Sequence, residues 1–303
     1  MTRLYRALAA CMLLILAGCA APQRDGWQPV TLPGAVQRTL HSNQTGRDYR
    51  LFVAVPDAPP PPGGYPVLYL LDGNATFALA AQVARTQRGL DPAVVVGIGY
   101  PIDGAFDVVA RAEDYTPPLP DALPADAPRT KYREGGAARF LDFIEHTLKP
   151  DLAARWPLNP SRQALYGHSY GGLFTLYVLF SRPDAFQSYI AVSPSVWWGE
   201  RWLLRDHPLP AVDHVPQVWI GVGGLEQGGA DTPAMDRAKL AERAMIDGAR
   251  TLAGTLRAQG IDARFTVLEG QNHLGALYAS VPRAVLRVLG GPAATDGPPK
   301  RTP

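Results

Sequence analysis

Residues 164–173 read Ala-Leu-Tyr-Gly-His-Ser-Tyr-Gly-Gly-Leu, and this segment decides the fold. It begins as an apolar strand, passes through a Gly-x-Ser-x-Gly sequence and continues into an apolar run, 173–180, that indicates a buried helix. In a nucleophile elbow, a serine occupies a sharp turn between a strand and a helix, and small neighbouring residues make that turn sterically possible. The segment therefore predicts that Ser169 is a nucleophile, whereas His168 is interpreted as structural.

The chain on either side of this elbow alternates between strand-like and helix-like segments. Near-continuous apolar runs such as 66–72 and 93–99 are typical of parallel strands that are covered on both faces. Further strands are expected at 186–192, 216–222 and 263–268, with an antiparallel edge pair at 36–41 and 48–55. Helices are expected at 75–85, 236–259 and 274–289, and the segment 134–156 is expected to form one long helix or two. The alternation predicts an α/β fold with a mostly parallel, doubly wound sheet and helices on both faces.

Two places depart from this alternation. Pro150 is expected to break or kink the helix at 134–156, because proline lacks the backbone donor that a helix interior uses. The segment 100–130 shows no regular pattern and is rich in proline. Long connections of this kind in compact domains are usually lids or binding loops, so we expect a loop-rich lid.

The N-terminus has a basic start, Arg3 and Arg6, followed by an apolar run at 7–17. With the small residues that follow, this pattern is typical of a secretory signal peptide. A transmembrane anchor is the alternative, but the run is shorter than the roughly 20 apolar residues that span a bilayer.

The end of this leader, Leu-Ala-Gly-Cys at 16–19, resembles a bacterial lipobox. The resemblance implies that Cys19 is lipidated, and Ala20 after it implies a periplasmic protein anchored in the outer membrane. Several acyl chains would hold such a protein on the membrane stably. The expected organisation is a lipoprotein signal peptide at 1–18, a tether at 19–35, one α/β domain at 36–289 and a disordered tail at 290–303.

Composition excludes several classes of function. The chain has 29 basic and 27 acidic residues, and removal of Arg3 and Arg6 with the leader leaves 27 of each. A formally neutral protein gives no indication of nucleic-acid binding. Of the two cysteines, Cys11 leaves with the leader and Cys19 is the lipidation site. A thiol nucleophile and a cysteine-ligated metal site are therefore not expected, and no metal or cofactor is predicted.

The partners of Ser169 follow from chain order, because this fold presents nucleophile, acid and histidine in that sequence at successive strand ends. His273 comes directly after the last predicted strand and is the expected general base. Glu226, after the strand at 216–222, is the first choice for the acid, and Asp231 is the second. A working Ser–His pair with a solvent-facing Glu226 is also possible.

An oxyanion hole requires two backbone N–H groups. One is expected from Tyr170, directly after the nucleophile, and the other from Gly73 or Asn74 in the loop after the strand at 66–72. Donors of this kind stabilise the negative charge that develops in acyl transfer.

Together these segments resemble the esterase-D-like branch of the α/β hydrolases, and within it the periplasmic catecholate siderophore esterases, which open the ester backbone of enterobactin and its glucosylated relatives. The resemblance spans residues 36–289. It is carried by Tyr-Leu-Leu-Asp-Gly-Asn at 69–74, Gly-Ile-Gly-Tyr at 97–100, Arg-Ala-Glu-Asp-Tyr-Thr-Pro-Pro at 111–118, Gly-His-Ser-Tyr-Gly-Gly at 167–172 and Ser-Pro-Ser-Val-Trp-Trp at 193–198. It implies a serine carboxylic-ester hydrolase with Ser169 and His273 as catalytic residues, and a substrate-binding role for Arg111.

The chemistry of such a substrate agrees with the residues at hand. A catecholate siderophore offers serine-derived esters, flat aromatic rings and, with iron bound, negative charge. Arginine pairs with such oxygens and stacks on rings, and five candidate binding residues are expected at the strand ends: Arg111, Tyr100, Tyr115, Trp197 and Trp198. The alternatives are a surface charge for the arginine and a hydrophobic loop core for the aromatic residues.

The expected function is hydrolysis of the ester backbone of a ferric or apo catecholate siderophore. Two alternatives remain open from the sequence. One is a broader carboxylesterase or acyl transferase that acts on envelope or xenobiotic esters. The other is a siderophore-binding lipoprotein without significant catalysis.

Overall fold

A computed structural model describes residues 30–118, 131–205, 207–228 and 234–290 of the protein. The chain separates into two units, 1–33 and 34–303, and all eight strands of the sheet belong to the second. The signal peptide, Cys19, most of the tether and residues 291–303 of the tail lie outside the described residues, as does Asp231. Within the described ranges, none of the helices has the length and apolar character that a membrane crossing requires.

Eight strands of the described chain form one sheet in the order β1-β2-β4-β3-β5-β6-β7-β8. The strands are β1 Ala35–Ser42, β2 Arg47–Ala54, β3 Tyr65–Leu71, β4 Val94–Gly99, β5 Leu158–His168, β6 Ser188–Val192, β7 Gln217–Gly223 and β8 Asp262–Leu268. The pairs β1–β2 and β2–β4 are antiparallel, and all other neighbours are parallel. The predicted mostly parallel sheet with an antiparallel edge is therefore confirmed.

Helices and short turns connect these strands. The helices are α1 Gly73–Thr86, α2 Val108–Tyr115, α3 Ala137–Phe143, α4 Lys149–Ala153, α5 Tyr170–Ser181, α6 Trp198–Arg201, α7 Ala234–Arg243, α8 Met245–Ala258 and α9 His273–Leu289. A π-helical turn, Ile144–Leu148, joins α3 to α4.

The core lies on both faces of the sheet. Every residue of β3 and β4 is buried, as expected for parallel strands that helices cover on each side. Helix α5 buries most of its residues, including Leu173 and Phe174, because it packs between the sheet and neighbouring helices. This burial explains why the apolar run after the elbow has no polar face.

The structure refines or corrects three sequence expectations. The helical segment expected at 134–156 consists of α3, the π turn and α4, and Pro150 lies in the first turn of α4, directly after the π turn that interrupts the regular α-helix. The helix expected at 236–259 is two helices, separated at Ala244, which has left-handed φ and ψ of 46° and 46°. The break leaves α7 exposed while α8 packs closely, with the Cβ position of Gly248 only 2.8 Å from a Val196 methyl carbon.

The third correction concerns the expected lid. Part of the segment 100–130 is regular, because helix α2 begins after Asp107, whose carboxylate accepts a hydrogen bond from the Ala110 N–H. An aspartate at this position is a typical helix N-cap. Residues 119–130, with three of the prolines, lie outside the described residues.

Candidate active site

The candidate site begins at the elbow between β5 and α5. Ser169 adopts φ 59° and ψ −117°, a strained conformation for a residue with a side chain. The turn requires glycine nearby, since a Cβ at Gly167 would lie 2.1 Å from the Gly171 carbonyl oxygen. The sequence therefore builds the strand–turn–helix geometry that the Gly-x-Ser-x-Gly motif predicted.

A histidine and a glutamate meet at the ends of the later strands. His273 is the first residue of α9, and its Nδ1 lies 2.5 Å from Glu226 Oε2. Glu226 is 3% exposed, and its other oxygen accepts hydrogen bonds from the Gly223 N–H at 2.8 Å and from the Ser193 hydroxyl. A buried carboxylate with three donors is held in one orientation. The open alternative of a solvent-facing Glu226 is therefore wrong.

His168 connects the elbow to this pair. Its Nε2–H donates to the His273 carbonyl oxygen at 2.8 Å, and the two imidazole rings lie 4.5 Å apart. Burial lowers the pKa of His168 well below its ordinary value, and the neighbouring His273 lowers it further. A neutral His168 thus acts as a structural donor that holds the start of α9 beside Ser169.

Two helix N-termini face the same strand ends. Gly73 begins α1 and Tyr170 begins α5, and the first N–H groups of a helix have no acceptor within it. A Cβ at Gly73 would lie 2.7 Å from the Gly97 carbonyl carbon, so only glycine fits. Asn74 has another role, because its side-chain amide accepts from the Tyr100 N–H and donates to the Tyr100 carbonyl oxygen. These bonds engage only the side chain of Asn74, so the backbone N–H groups of Tyr170 and of Gly73 or Asn74 are the candidates for an oxyanion hole.

Arg111 lies on α2, where sequence reasoning expected a loop. It donates two hydrogen bonds to the Asp72 carboxylate, at 2.8 and 2.9 Å, and its side chain is only 13% exposed. Burial disfavours the guanidinium charge, but Asp72 outweighs this effect and raises the pKa of Arg111. Two of the three guanidinium nitrogens therefore hold Asp72, the residue that precedes α1, in place.

Most of the aromatic residues proposed for substrate binding are buried. Tyr115 is 0% exposed and accepts a hydrogen bond from the Asp72 N–H, while the Tyr100 hydroxyl donates to Asp114. This location corrects the expectation that both rings line a binding loop. Trp198 is likewise buried, with its indole N–H donating to Glu134 at 3.1 Å. Only Trp197 of the four is partly exposed.

Sequence reasoning missed two residues that shape the site. Ser193, with φ 43°, follows β6 directly and supports Glu226; its position at a strand end was the available signal. Glu134 interacts with both the Trp198 indole and the Tyr170 hydroxyl, and nothing in the local sequence indicated this. In the described part of the chain, no group of three or more His, Cys, Asp or Glu residues is arranged to hold a metal ion.

This sheet order, with a serine on the β5–α5 elbow and a His–Glu pair after β8 and β7, defines an α/β hydrolase. Residues 42–287 match the family described as putative esterase, and the chain belongs to that family. The resemblance stated from the sequence is thereby confirmed, and the protein is an ester hydrolase.

Individual relatives are named for siderophores. The ferri-bacillibactin esterase BesA of Bacillus subtilis is 37% identical over 84% of this chain and 89% of its own length. The apo-salmochelin esterase of Escherichia coli is 31% identical over 80% of this chain and 76% of its own length. Among solved structures, the siderophore hydrolase EstB from Aspergillus nidulans superposes with a TM-score of 0.77 and 30% identity, over 89% of this chain and 99% of that one.

Proposed function

We propose that this protein is a serine esterase that hydrolyses the ester backbone of catecholate siderophores such as enterobactin, and thereby aids iron release. The observation that carries the proposal is the contact of His273 with the buried Glu226 beside the Ser169 elbow. The names of the similar esterases supply the substrate class.

The reaction begins with Ser169. His273 uses Nδ1–H to donate to Glu226, which leaves Nε2 to accept the proton of the serine hydroxyl as Oγ attacks the ester carbonyl carbon. Glu226 stabilises the imidazolium that forms. The N–H group of Tyr170 and that of Gly73 or Asn74 receive the negative oxygen of the tetrahedral intermediate.

Collapse of this intermediate breaks the bond between the carbonyl carbon and the leaving oxygen. His273 returns its proton to that oxygen, and the released seryl hydroxyl opens the backbone. Water then attacks the acyl-enzyme with His273 again as base, which yields a carboxylic acid and restores Ser169. The cycle consumes one water per ester and uses no cofactor.

The substrate rests against Trp197, the partly exposed aromatic residue beside the elbow. Arg111 keeps its Nη1 group for a catecholate oxygen while the rest of its guanidinium holds Asp72. The enzyme works in the periplasm, attached to the outer membrane through lipid on Cys19. The basic and apolar leader supports this location.

The first experiment incubates the purified protein with enterobactin, with and without iron, and separates linear products by chromatography with mass detection. We expect linear products from the wild type and a loss of at least about a thousandfold in rate for Ser169→Ala, because the nucleophile is removed. p-Nitrophenyl butyrate serves as a neutral small ester.

The outcomes separate the candidate functions. Cleavage of the nitrophenyl ester without cleavage of either siderophore form supports a broader carboxylesterase. Binding of the siderophore that is unchanged in Ser169→Ala, without products, supports a binding lipoprotein. Either result contradicts the proposal.

A further inference from the structure

We infer that Arg243 and Trp197 form a subsite for the anionic catecholate ring carried beside the scissile ester, and that Arg243 determines specificity for charged substrates. The inference rests on the proposed function and deepens it. Arg243 is the last residue of α7, and its guanidinium carbon lies 4.7 Å from the centre of the Trp197 indole ring. Both side chains are partly exposed.

This pair lies next to the nucleophile. The Trp197 ring is 6.1 Å from the Tyr170 ring, and Tyr170 directly follows Ser169. Burial raises the pKa of Tyr170 to about 12 and Glu134 adds to the rise, while the positive charges of Arg111 and Arg243 oppose it. Arg243 is therefore close enough for its charge to act on the residue after the nucleophile.

The charge of Arg243 is more accessible to a ligand than that of Arg111. Arg111 is bonded twice to Asp72 and is largely buried. Among the residues that the structure describes, Arg243 forms no ion pair with a carboxylate, and its guanidinium lies over the indole ring of Trp197. A guanidinium that stacks through its face keeps its N–H donors at the edge free to bind oxygen atoms.

These properties match a deprotonated catechol ring. The ring is flat and packs against the exposed part of the Trp197 and Arg243 pair, and its oxygen atoms accept charge-assisted hydrogen bonds from the edge of the guanidinium. When iron is bound, the catechol oxygens carry negative charge, so the iron-bound substrate gains most from Arg243. A small neutral acyl group gains only apolar contact with Trp197.

A structural explanation for Arg243 also exists, since a basic residue in the last turn of a helix interacts favourably with the helix dipole. That role affects the stability of α7 alone. It does not distinguish a charged ester from a neutral one, and this difference provides the test.

The experiment measures kcat and KM of Arg243→Gln with iron-bound enterobactin, iron-free enterobactin and p-nitrophenyl butyrate. We expect the KM for the iron-bound form to rise roughly tenfold or more, as for loss of a hydrogen bond to a charged group. The increase for the nitrophenyl ester should be at least about fivefold smaller. Arg243→Lys should restore part of the affinity, because it keeps the charge but not the planar group.

The matched control is Lys239→Gln, which removes one positive charge from an exposed position of the same helix. It should behave like the wild type with all three substrates. Equal losses of Arg243→Gln on charged and neutral esters, or equal losses in the control, would overturn the inference and leave the proposed function standing. Failure of the wild type to bind or cleave either form of enterobactin would overturn both.

Discussion

At the scale of single residues, the Glu226 carboxylate accepts three hydrogen bonds that together fix its orientation in the site. Its carboxylate accepts from the Gly223 N–H, the Ser193 hydroxyl and the His273 imidazole while only 3% exposed. Buried charge is costly unless every lone pair finds a donor. Ser193 is therefore a positioning residue: it does not touch the ester, but it directs the acid that orients the base.

Ser193→Ala is expected to reduce kcat by roughly tenfold with KM nearly unchanged, because removal of one donor leaves Glu226 less well fixed and its oxygen poorly satisfied. The measurement is steady-state hydrolysis of p-nitrophenyl butyrate. Ser195→Ala is the matched control, since Ser195 is also buried and its hydroxyl has no hydrogen-bond partner in the described structure.

The same assay with Glu226→Gln sets the upper limit of the effect. Loss of the acid in this type of triad reduces kcat by about 10⁴-fold, so Ser193→Ala should fall well short of it. A Ser193 variant no slower than the Ser195 control would mean that Ser193 does not position the acid.

At the scale of elements, ion pairs and hydrogen bonds to largely buried carboxylates hold helix α2 against strand β2. Arg47 on β2 pairs with Asp114 and Glu113 of α2, and the hydroxyls of Tyr49 and Tyr100 also donate to Asp114. Burial raises the pKa of Asp114 to about 6, although Arg47 opposes the rise. Because the folded protein then holds this proton more tightly than the unfolded chain, the contribution of Asp114 to stability falls as pH rises from about 4 to about 6.

Asp114→Asn removes this titration. The thermal midpoint of the wild type minus that of the variant is therefore expected to decrease between pH 4 and pH 6.5, as followed by circular dichroism. Asp103→Asn, which removes an exposed carboxylate, controls for the change in total charge. A difference between wild type and Asp114→Asn that grows with pH would show that the sign is wrong.

At the scale of the whole molecule, the site is assembled by the sheet order. Because β3, β5, β6, β7 and β8 are consecutive parallel neighbours, their carboxyl ends meet at one edge. Chain order was therefore enough to predict that His273 and Glu226 come together. The conformation of the elbow depends on residues that are close in sequence, so the glycines at 167 and 171 were enough to predict it.

The remaining features depend on packing that the sequence does not specify. Nothing in the sequence around Arg111 indicated that its guanidinium would bind Asp72. The burial of Tyr100 and Tyr115 depends on how α2 packs on the sheet. The helix also breaks at Ala244, where the sequence has neither glycine nor proline, and the break separates the exposed α7 from the packed α8. Side-chain direction and helix interruption are thus set by tertiary contacts.

The anchoring of the whole protein is also testable. Cys19→Ser is expected to move the protein from the membrane fraction to the soluble periplasmic fraction, because it removes the proposed site of acylation. Fractionation followed by immunoblotting measures the change, and Cys11→Ser is the control within the leader. An unchanged membrane fraction for Cys19→Ser would contradict the lipid anchor.

The ion pair between Arg111 and Asp72 also constrains how this enzyme can diverge. Asp72 is buried and Arg111 is largely buried, so replacement of either one alone would leave the charge of the other uncompensated. Because Asp72 also precedes the N–H groups of α1, the damage would extend to the chemistry as well as to stability. Replacement of either residue alone is therefore expected to be more damaging than replacement of both together.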